Sequence, residues 1–404
     1  MDCSRNLRRH RDSLISDAAI VKSASSAYRI RLVFLITGLD TGGAEVMLHK
    51  LCSRIDRQRF APMVISLGGK GKIGPRIEKL GIPVHALGMP RYWPWSALLT
   101  LKRLLAVHRT DLIQGWMYHG NIVASLVAGT TPVCWGIRQS LYGLENERAL
   151  TRWVIRVGAR ISRFARLIVY NSRISAYQHE RFGYDATRAL IIPNGFDTDL
   201  LRPDGEARST LRGELGLTED VCLIGMIARY HPMKDHESFL SAAALISRQH
   251  PDVYFLLSGR GIDNGNRNLL ALIEQGGLSG RVFLLGERAD VPRLNAALDI
   301  ASSTSAWGEG FANIIGEAMS CCVPCVVTDV GDSAWIVGDT GKVVPPRAPE
   351  ALAAAWKELI GIGIDGRNVL GAHARQRVID NFSLGTVVRQ YESIYESVFV
   401  RVNQ

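Results

Sequence analysis

The sequence predicts an α/β protein with parallel sheets and flanking helices, because strand-like apolar runs alternate with helix-like patterns along the chain. Arg31–Thr37 is a predicted strand, followed by a Gly-rich turn and a predicted helix at Val46–Ile55. The same strand–turn–helix order returns at Val221. With 404 residues, the chain is long enough to bury two cores. We therefore expect two α/β domains in succession.

The individual strands are predicted from short apolar runs bounded by turn residues. In the first half these runs are Arg31–Thr37, Met63–Leu67, Val84–Leu87, Leu112–Gly115, Val133–Gly136, Leu167–Asn171 and Ala189–Ile192. In the second half they begin at Val221, Val253 and Val323. A final amphipathic helix is predicted at Thr386–Val398.

The most informative stretch runs from Trp307 to Pro346 and predicts a loop, a helix and a strand. Glu309 precedes the helix and Glu317 lies inside it, about 12 Å further along the axis and about 80° around it. Two acids so spaced suit the two ends of a nucleotide-sugar, and the first helical N–H groups suit its phosphates. An amphipathic helix with two solvated acids fits the spacing equally well.

This stretch resembles the Glu-x7-Glu segment of the family 4 retaining glycosyltransferases, which have the GT-B fold. The resemblance lies in EGFANIIGEAMSCCVPCVVTD, residues 309–329. The sequence departs from the family pattern at Ala312, where proline is frequent, and at Cys322, where glycine is usual. Neither departure removes a ligand group, although Cys322 is expected to crowd a turn.

Two further segments of the first half match the family in order. Gly42 and Gly43 follow the first predicted strand, where a Gly-rich turn lets the backbone approach a ligand. His119 follows the strand Leu112–Gly115, at an edge where α/β proteins bind ligands, although an isolated histidine is more often structural. The resemblance implies that the glycines lie near the donor phosphate and the acceptor entrance, and that His119 faces the transferred sugar.

Arg229 and Lys234 lie in the loop that follows the first strand of the second half. Two cations beside a helix start would neutralise a diphosphate leaving group, whereas two solvated surface cations are the ordinary alternative. The segment is similar to the family pattern G-R-x4-K, in which this pair holds the diphosphate. Asp197 and Asp199 form an Asp-x-Asp in the interdomain segment, and we do not expect them to bind a metal.

The resemblance implies a complete architecture and reaction. Two Rossmann-like doubly wound domains would face a central cleft: an acceptor-binding domain at residues 29–200 and a donor-binding domain at residues 201–384. A C-terminal helix at residues 385–404 would cross back to the first domain, and residues 1–28 would be a basic extension. The implied reaction transfers a sugar from a nucleotide-sugar to an acceptor hydroxyl with retention, without a metal and without any cofactor beyond the donor substrate.

Each site residue then has an implied role. Arg229, Lys234 and the backbone of the helix start at Phe311, Ala312 and Asn313 would take up the charge of the diphosphate. Glu317 would hold the ribose and Glu309 the donor sugar, while His119 would orient that sugar or assist the acceptor. No side chain is an evident covalent nucleophile. This fits a front-face mechanism, in which the leaving phosphate takes the acceptor proton.

The charge distribution predicts an anionic partner for the first half. Residues 29–200 carry 24 Lys and Arg against 11 Asp and Glu, whereas residues 201–404 carry 19 against 24. An anionic membrane surface or a phosphate-bearing acceptor would fit this excess. Nucleic acid is not expected, because zinc-finger spacing and RNA-binding aromatic signatures are missing from the sequence.

A basic amphipathic helix at Thr151–Phe164 has two stripes at helical spacing. One stripe is basic, formed by Arg152, Arg156, Arg160 and Arg163, and one is apolar, formed by Trp153, Val157, Ile161 and Phe164. Such a helix is typical of contact with a membrane surface. A core helix with a solvated charged back is the alternative.

The seven cysteines form no even framework, which favours reduced thiols and a cytosolic setting. The first residues have no apolar signal region and no apolar run reaches membrane-spanning length. We therefore expect a cytoplasmic protein that binds the inner face of the plasma membrane peripherally. Its acceptor would be a saccharide, expected to be lipid-linked, in bacterial surface polysaccharide or exopolysaccharide synthesis.

Three other functions are compatible with parts of the sequence. A nucleotide-sugar epimerase of the same fold would turn over its substrate without an acceptor. A non-catalytic nucleotide or sugar binder would bind tightly and release no nucleoside diphosphate. An NAD-dependent Rossmann enzyme is the most remote, because its G-x-G-x-x-G fingerprint is missing.

Overall fold

The computed structural model describes residues 28–89, 95–144 and 148–403, so the predicted basic extension lies outside them except for Tyr28. The chain divides into two compact units. The first extends to Gly195 and resumes at Leu384, and the second is Phe196–Ser383. The sequence-based divisions stand at residues 200 and 384.

Strands and helices alternate through the first unit. In chain order the elements are β1 (Ile30–Ile36), α1 (Gly43–Arg54), β2 (Phe60–Ser66), α2 (Gly74–Glu78), β3 (Val84–Ala86), α3 (Trp95–Val107), β4 (Leu112–Trp116), α4 (Met117–Val127), β5 (Val133–Ile137), α5 (Ala149–Ile161), β6 (Leu167–Tyr170), α6 (Arg173–Phe182) and β7 (Ala189–Ile191).

The second unit repeats the alternation and ends in helices. Its elements are α7 (Gly205–Glu214), β8 (Cys222–Ile227), α8 (His236–Ser247), β9 (Val253–Ser258), α9 (Arg267–Gln275), β10 (Val282–Leu284), α10 (Val291–Ala297), β11 (Ile300–Ser303), α11 (Asn313–Ser320), β12 (Cys325–Thr328), α12 (Ser333–Val337), β13 (Lys342–Val344), α13 (Pro349–Gly361) and α14 (Gly363–Phe382). The last helix, α15 (Leu384–Asn403), belongs to the first unit.

Each unit has one parallel sheet with a doubly wound strand order. Within the described residues, the order is β3-β2-β1-β4-β5-β6-β7 in the first unit and β10-β9-β8-β11-β12-β13 in the second. The order reverses direction between β1 and β4, and between β8 and β11. In open sheets of this kind ligands bind outside the carboxyl ends of the strands at that reversal. The predicted α/β class is therefore confirmed, and the topology locates one candidate edge in each unit.

Strand β1 shows why these sequences form buried parallel strands. Its residues IRLVFLI alternate between the two faces of the sheet, and both faces are covered. Leu32 and Phe34 pack on the side of α1 and α15, while Val33 and Leu35 pack on the side of α4. A strand covered on both sides is apolar throughout, which explains its strong signal in the sequence.

Helix α15 is part of the first core because its apolar stripe is completely buried there. Val387, Tyr391 and Tyr395 have no exposed surface, and the Tyr395 ring meets the edge of Phe34 with ring centres 6.2 Å apart. On the outer side, Arg59 forms ion pairs with Glu392 and Glu396. The helix is thus held by both packing and charge.

Some elements differ from the sequence-based prediction for physical reasons. Strand β11 reads IASS and β13 has only three residues, so neither forms the apolar run that the prediction required. Helix α11 begins at Asn313 rather than Phe311. The Phe311 ring is buried in an aromatic cluster with Phe196, Trp335 and Phe382, and this packing holds the chain out of the helix for two more residues.

Cys322, which replaces the usual glycine, adopts a left-handed backbone conformation with φ of 61°. The turn has little freedom to relax, because a Cβ at Gly371 would lie 1.8 Å from the carbonyl oxygen of Cys322. A left-handed conformation costs a residue with a Cβ roughly 1–2 kcal/mol, whereas glycine adopts it freely.

We predict that Cys322→Gly raises the free energy of unfolding by about 0.5–1 kcal/mol, since the relief of strain exceeds the extra chain entropy of glycine. Urea unfolding at equilibrium measures this. Cys322→Ala is the matched control, because it removes the thiol and keeps the Cβ. Equal stability of the Ala and Gly variants would contradict the assignment of strain to this backbone.

Candidate functional site

The predicted site residues of the second unit follow the two strands at which the strand order reverses. Arg229 and Lys234 lie in the loop after β8, and Glu309 lies in the loop after β11. Because β8 and β11 are parallel neighbours, both loops leave the sheet at its carboxyl edge. The topology therefore brings together segments that are about 75 residues apart in sequence.

Lys234 and Glu309 form an ion pair at this edge. The Nζ of Lys234 donates a hydrogen bond to Oε1 of Glu309, and the side chains are only 17% and 10% exposed. The Ser305 hydroxyl donates to the same carboxylate oxygen at 2.7 Å. A largely desolvated carboxylate is thus stabilised by one cation and one hydroxyl, which fixes the direction of both charged groups.

Backbone contacts between the two loops hold this ion pair in place. The Thr304 hydroxyl donates to the carbonyl oxygen of Lys234 at 2.8 Å, and the Ala306 N–H donates to the carbonyl oxygen of Met233 at 2.8 Å. Asp235 then turns the chain with φ of 53° and caps α8 by accepting from the N–H and hydroxyl of Ser238. Hydrogen bonds therefore connect the two loops to each other and to the start of α8.

Two glycines allow other segments to approach these loops closely. Gly259 has φ of 146°, and a Cβ there would lie 2.2 Å from the carbonyl oxygen of Ala228, the residue before Arg229. Gly331 has φ of 64°, and a Cβ there would lie 2.5 Å from the carbonyl oxygen of Glu309. Both positions combine a left-handed or extended-positive backbone with a close contact, so glycine is required at each.

Arg229 is exposed, unlike Lys234. Among the residues that the structure describes, no carboxylate forms an ion pair with it. Its guanidinium lies at the carboxyl end of β8 with its five N–H donors available to a ligand. The two predicted diphosphate cations therefore differ: one is held in a pair and the other faces solvent.

Helix α11 continues the same edge from Ala312, which caps the helix without a side-chain hydrogen bond. The first helical residue is Asn313, so the open N–H groups belong to the turn that starts there. Glu317 is half-buried in the second turn of the helix. Phe311 contributes its ring to the core of the second unit.

In the first unit, Gly42 and Gly43 and His119 also follow the two strands at the reversal of the strand order. Gly42 is the N-cap of α1 and Gly43 its first residue. The indole N–H of Trp116, the last residue of β4, donates to the carbonyl oxygen of Ala44 at 2.9 Å. This bond ties the glycine turn to the strand that leads to His119.

His119 lies in the first turn of α4, and burial lowers the pKa of its imidazole below the usual value. The ring is therefore neutral at pH 7, with one N–H donor and one acceptor nitrogen. Met117, two residues earlier, has φ of 69°. A left-handed residue between strand and helix costs of order 1–3 kcal/mol and is commonly found at functional sites.

The Asp-x-Asp segment has a structural explanation. Asp197 Oδ1 accepts hydrogen bonds from the backbone N–H groups of Asp199 and Leu200, at 3.2 and 3.3 Å, so it caps a turn. Within residues 28–89, 95–144 and 148–403, no group of three or more His, Cys, Asp and Glu side chains is arranged to hold a metal ion.

Several residues of this site were missed from the sequence. Ser305 and Thr304 hold Glu309 and Lys234, but a Thr-Ser pair after an unpredicted strand carries no distinct signal. Met117 is missed for another reason, because methionine does not mark a left-handed position. The Gly-Glu-Gly at residues 308–310 was the one local sign that this loop is tightly constrained.

Two family profiles match the two halves of the chain. Residues 41–200 match the profile described as Glycosyltransferase Family 4, and residues 221–361 match the profile described as Glycosyl transferases group 1. The chain belongs to the family 4, group 1 glycosyltransferases. The glycosyltransferase activity expected from the resemblance is thereby supported at the level of the family.

Individual relatives of this glycosyltransferase have low sequence identity to it, but they match over most of the length of both chains. The putative glycosyltransferase EpsF of Bacillus subtilis is 25% identical over 322 residues, covering 74% of this chain and 79% of that protein. The UDP-Gal:alpha-D-GlcNAc-diphosphoundecaprenol alpha-1,3-galactosyltransferase of Escherichia coli is 24% identical, covering 76% and 80%.

Among solved structures, HepE of Anabaena in complex with UDP is similar with a TM-score of 0.80 and 26% identity, covering 91% of this chain and 100% of that chain. HepE in complex with UDP-glucose gives 0.76 and 25%. With the two parallel sheets, these neighbours confirm the predicted two-domain GT-B fold.

We predict that the Lys234–Glu309 pair of this glycosyltransferase shows a coupling free energy of about 1–3 kcal/mol in a double-mutant cycle, because either partner alone leaves a poorly solvated group. The variants are Lys234→Met, Glu309→Gln and their combination, measured by urea unfolding. The exposed pair Lys70–Glu78, with side chains 47% and 39% exposed, is the control and should give less than about 1 kcal/mol. Equal coupling in both pairs would count against the site geometry.

Proposed function

We propose that this protein transfers a sugar from a UDP-sugar to a hydroxyl of a lipid-linked saccharide, with retention of the anomeric configuration and without a metal ion. The observation that carries the proposal is the carboxyl edge of β8 and β11. There an exposed arginine, a paired lysine and an open helix start would meet one ligand. Such a set matches a nucleoside diphosphate, which carries negative charge between two hydroxyl-bearing ends.

The proposed chemistry depends on stabilising the leaving group. As the bond between the anomeric carbon and the phosphate oxygen breaks, Arg229, Lys234 and the N–H groups at the start of α11 would take up the negative charge on the diphosphate. A lysine ammonium has three donors, so Lys234 can keep its bond to Glu309 and still donate to a phosphate oxygen. Charge compensation by Arg and Lys would replace the usual metal ion.

Glu309 would bind the donor sugar. Lys234 and Ser305 orient its carboxylate, whose oxygens would accept from sugar hydroxyls. Glu317, two helical turns along, would accept from the ribose. In the front-face mechanism the acceptor oxygen bonds to the anomeric carbon on the side from which the diphosphate leaves. The acceptor proton passes to the departing phosphate oxygen.

His119 would position the donor sugar or the acceptor hydroxyl. Since its imidazole is neutral, it would donate one hydrogen bond and accept another rather than supply a positive charge. Gly42 and Gly43 would allow the backbone at the start of α1 to come close to the same ligands.

Comparisons support the finer parts of this proposal. HepE binds UDP and UDP-glucose, which favours uridine as the base of the donor. The E. coli relative acts on a saccharide linked to diphosphoundecaprenol, which favours a lipid-linked acceptor. No observation favours the epimerase or the non-catalytic binder over a transferase.

We predict that Arg229→Ala lowers turnover by about 10²–10³-fold, because it removes one donor aimed at the charge that develops on the leaving group. The melting temperature should stay nearly unchanged, since the side chain is exposed. The measurement is UDP release from a UDP-sugar in the presence of acceptor. Arg248→Ala, at the far end of α8 and also exposed, is the matched control and should retain full turnover.

Three results would overturn parts of the proposal. Normal turnover of Arg229→Ala would remove the assignment of the diphosphate. Conversion of the UDP-sugar without acceptor would favour the epimerase, and tight binding without UDP release would favour the binder. Product of inverted configuration, read from the anomeric proton coupling, would exclude retention.

We further propose that α5 binds an anionic membrane surface. Its core face consists of Val154, Ile155 and Gly158, so part of the predicted apolar stripe faces outward: Trp153 is 54% exposed and Phe164 is 69% exposed. The exposed cations Arg156, Arg160 and Arg163 lie around them. Exposed aromatic rings among arginines suit the interface between lipid headgroups and acyl chains. Among the described helices, none is long and apolar enough to cross a membrane.

We predict that reversing Arg156, Arg160 and Arg163 to Glu weakens binding to vesicles with anionic lipid by at least about 100-fold, since each cation contributes about 1 kcal/mol there. Vesicle co-sedimentation measures this at fixed salt. Reversal of the exposed Lys72, Arg76 and Lys79 around α2 is the control for net charge and should have a smaller effect. Equal losses in the two triple variants would refute a specific role for α5.

A further inference from the structure

Arg138 is a buried cation for which the described residues supply no carboxylate partner. It follows the last residue of β5 and is 8% exposed. One Nη donates to the Tyr391 hydroxyl at 2.8 Å and the other donates to Oδ1 of Asn194. The guanidinium lies over the Trp116 ring at 4.8 Å. All three partners are neutral, and within the described residues no carboxylate forms an ion pair with Arg138.

A comparison within the protein shows what this arrangement lacks. Arg212 is even more buried, at 1% exposed, and it forms an ion pair with Asp299, Nη1 to Oδ2, at 3.2 Å. A buried charge is expensive unless a counter-charge is supplied. Arg212 has that counter-charge from its own chain, whereas Arg138 has none in the described structure.

The free donors of Arg138 are accessible. A guanidinium has five N–H groups, and two are used by Tyr391 and Asn194. Its Nε makes no hydrogen bond with a described residue and, unlike Nε of Arg367, it is not sealed from solvent. The side chain can therefore reach a ligand that approaches the carboxyl edge of β5.

Two side-chain oxygens on neighbouring residues are sealed from solvent without a partner among the described residues. Asn171 follows β6 and its N–H donates to the carbonyl oxygen of Ile137, the residue before Arg138, at 3.3 Å. Its side chain is 5% exposed and its Oδ1 has no hydrogen-bond partner. The buried hydroxyl of Ser140, two residues after Arg138, has none either. Alternation along paired strands puts Arg138 and Asn171 on the same face of the sheet.

We infer that Arg138 binds a phosphate group of the acceptor substrate at the carboxyl edge of β5 and β6. Phosphate accepts bidentate bonds from a guanidinium. This inference rests on the proposed function, in which the donor diphosphate occupies Arg229 and Lys234. The phosphate would come from a lipid diphosphate or from a soluble sugar phosphate.

The test measures binding of inorganic pyrophosphate by calorimetry to wild type, Arg138→Met, Lys234→Ala and the combined variant. Two sites are expected in wild type, one in each single variant and none in the combination, with each lost site weakened by about 10–100-fold. Loss of a site only in Lys234→Ala overturns the inference and leaves the proposed function intact. Loss only in Arg138→Met supports the inference and removes the donor assignment.

Asn171→Asp separates a ligand role from a structural one. A carboxylate beside Arg138 would supply its counter-charge from the chain, so the melting temperature should rise while pyrophosphate binding at this site falls by about 10–100-fold. A structural role alone predicts the rise without the fall, which would refute the inference. Tyr391→Phe keeps the guanidinium and removes only a neutral bond, so it should retain the site. Arg138→Lys should recover part of the lost affinity.

The source of the phosphate is read from two further probes on the same variants. Farnesyl diphosphate in detergent represents the lipid source, and glucose 1-phosphate represents the soluble one. The probe that binds more tightly to wild type, and loses that advantage in Arg138→Met, identifies the source. If neither probe is sensitive to Arg138→Met, the site does not bind an acceptor phosphate.

Discussion

The candidate site of the second unit depends on one ion pair that joins two loops. Lys234 and Glu309 are far apart in sequence and meet because β8 and β11 are adjacent parallel strands. Their charges are worth more here than at the surface, because little water competes for them. For the same reason a misplaced charge would be poorly solvated here. The hydrogen bonds from Ser305 and Thr304 keep the two charged residues in position. A ligand that enters this edge meets a carboxylate and an ammonium already in position, so less ordering is left for the binding step.

This pre-organisation is supported by backbone strain on the site's own elements. Met117 and Asp235, two of the non-glycine residues with positive φ, lie two residues before His119 and one residue after Lys234. Each turn lets a helix start immediately after a strand or loop, so the candidate side chain is carried on a rigid helix or on a capped turn. Strain of this kind persists only where the surrounding packing enforces it. In both units the packed sheet and its helices provide that enforcement.

The parts of the fold that could be predicted are the strands whose buried residues are also apolar residues. Strands such as β1 and β9 are apolar throughout because both of their faces are covered. Strand β11 could not be predicted, because it contains serines in place of apolar residues. These serines accept hydrogen bonds inside the protein: the indole N–H of Trp356 donates to the Ser302 hydroxyl at 2.8 Å. The charged residues of the candidate site were predicted through a family resemblance. Spacing alone left Glu309 and Glu317 open to a second interpretation, and their pairing partners depend on three-dimensional contacts that no local pattern encodes.

The contrast between Arg212 and Arg138 extends the same physical argument to the first unit. Both arginines are buried, yet among the described residues only Arg212 has a carboxylate partner. A structural arginine gains most when its counter-ion belongs to the chain, since the pair is then complete in every state of the protein. An arginine held by a tyrosine, an asparagine and a tryptophan face is instead oriented without being neutralised. That arrangement keeps the positive charge available at the carboxyl edge of β5, beside the strand that leads to His119. The sequence of this unit carries a large excess of Lys and Arg. In our proposal, the counter-charge for Arg138 comes from the phosphate of the ligand.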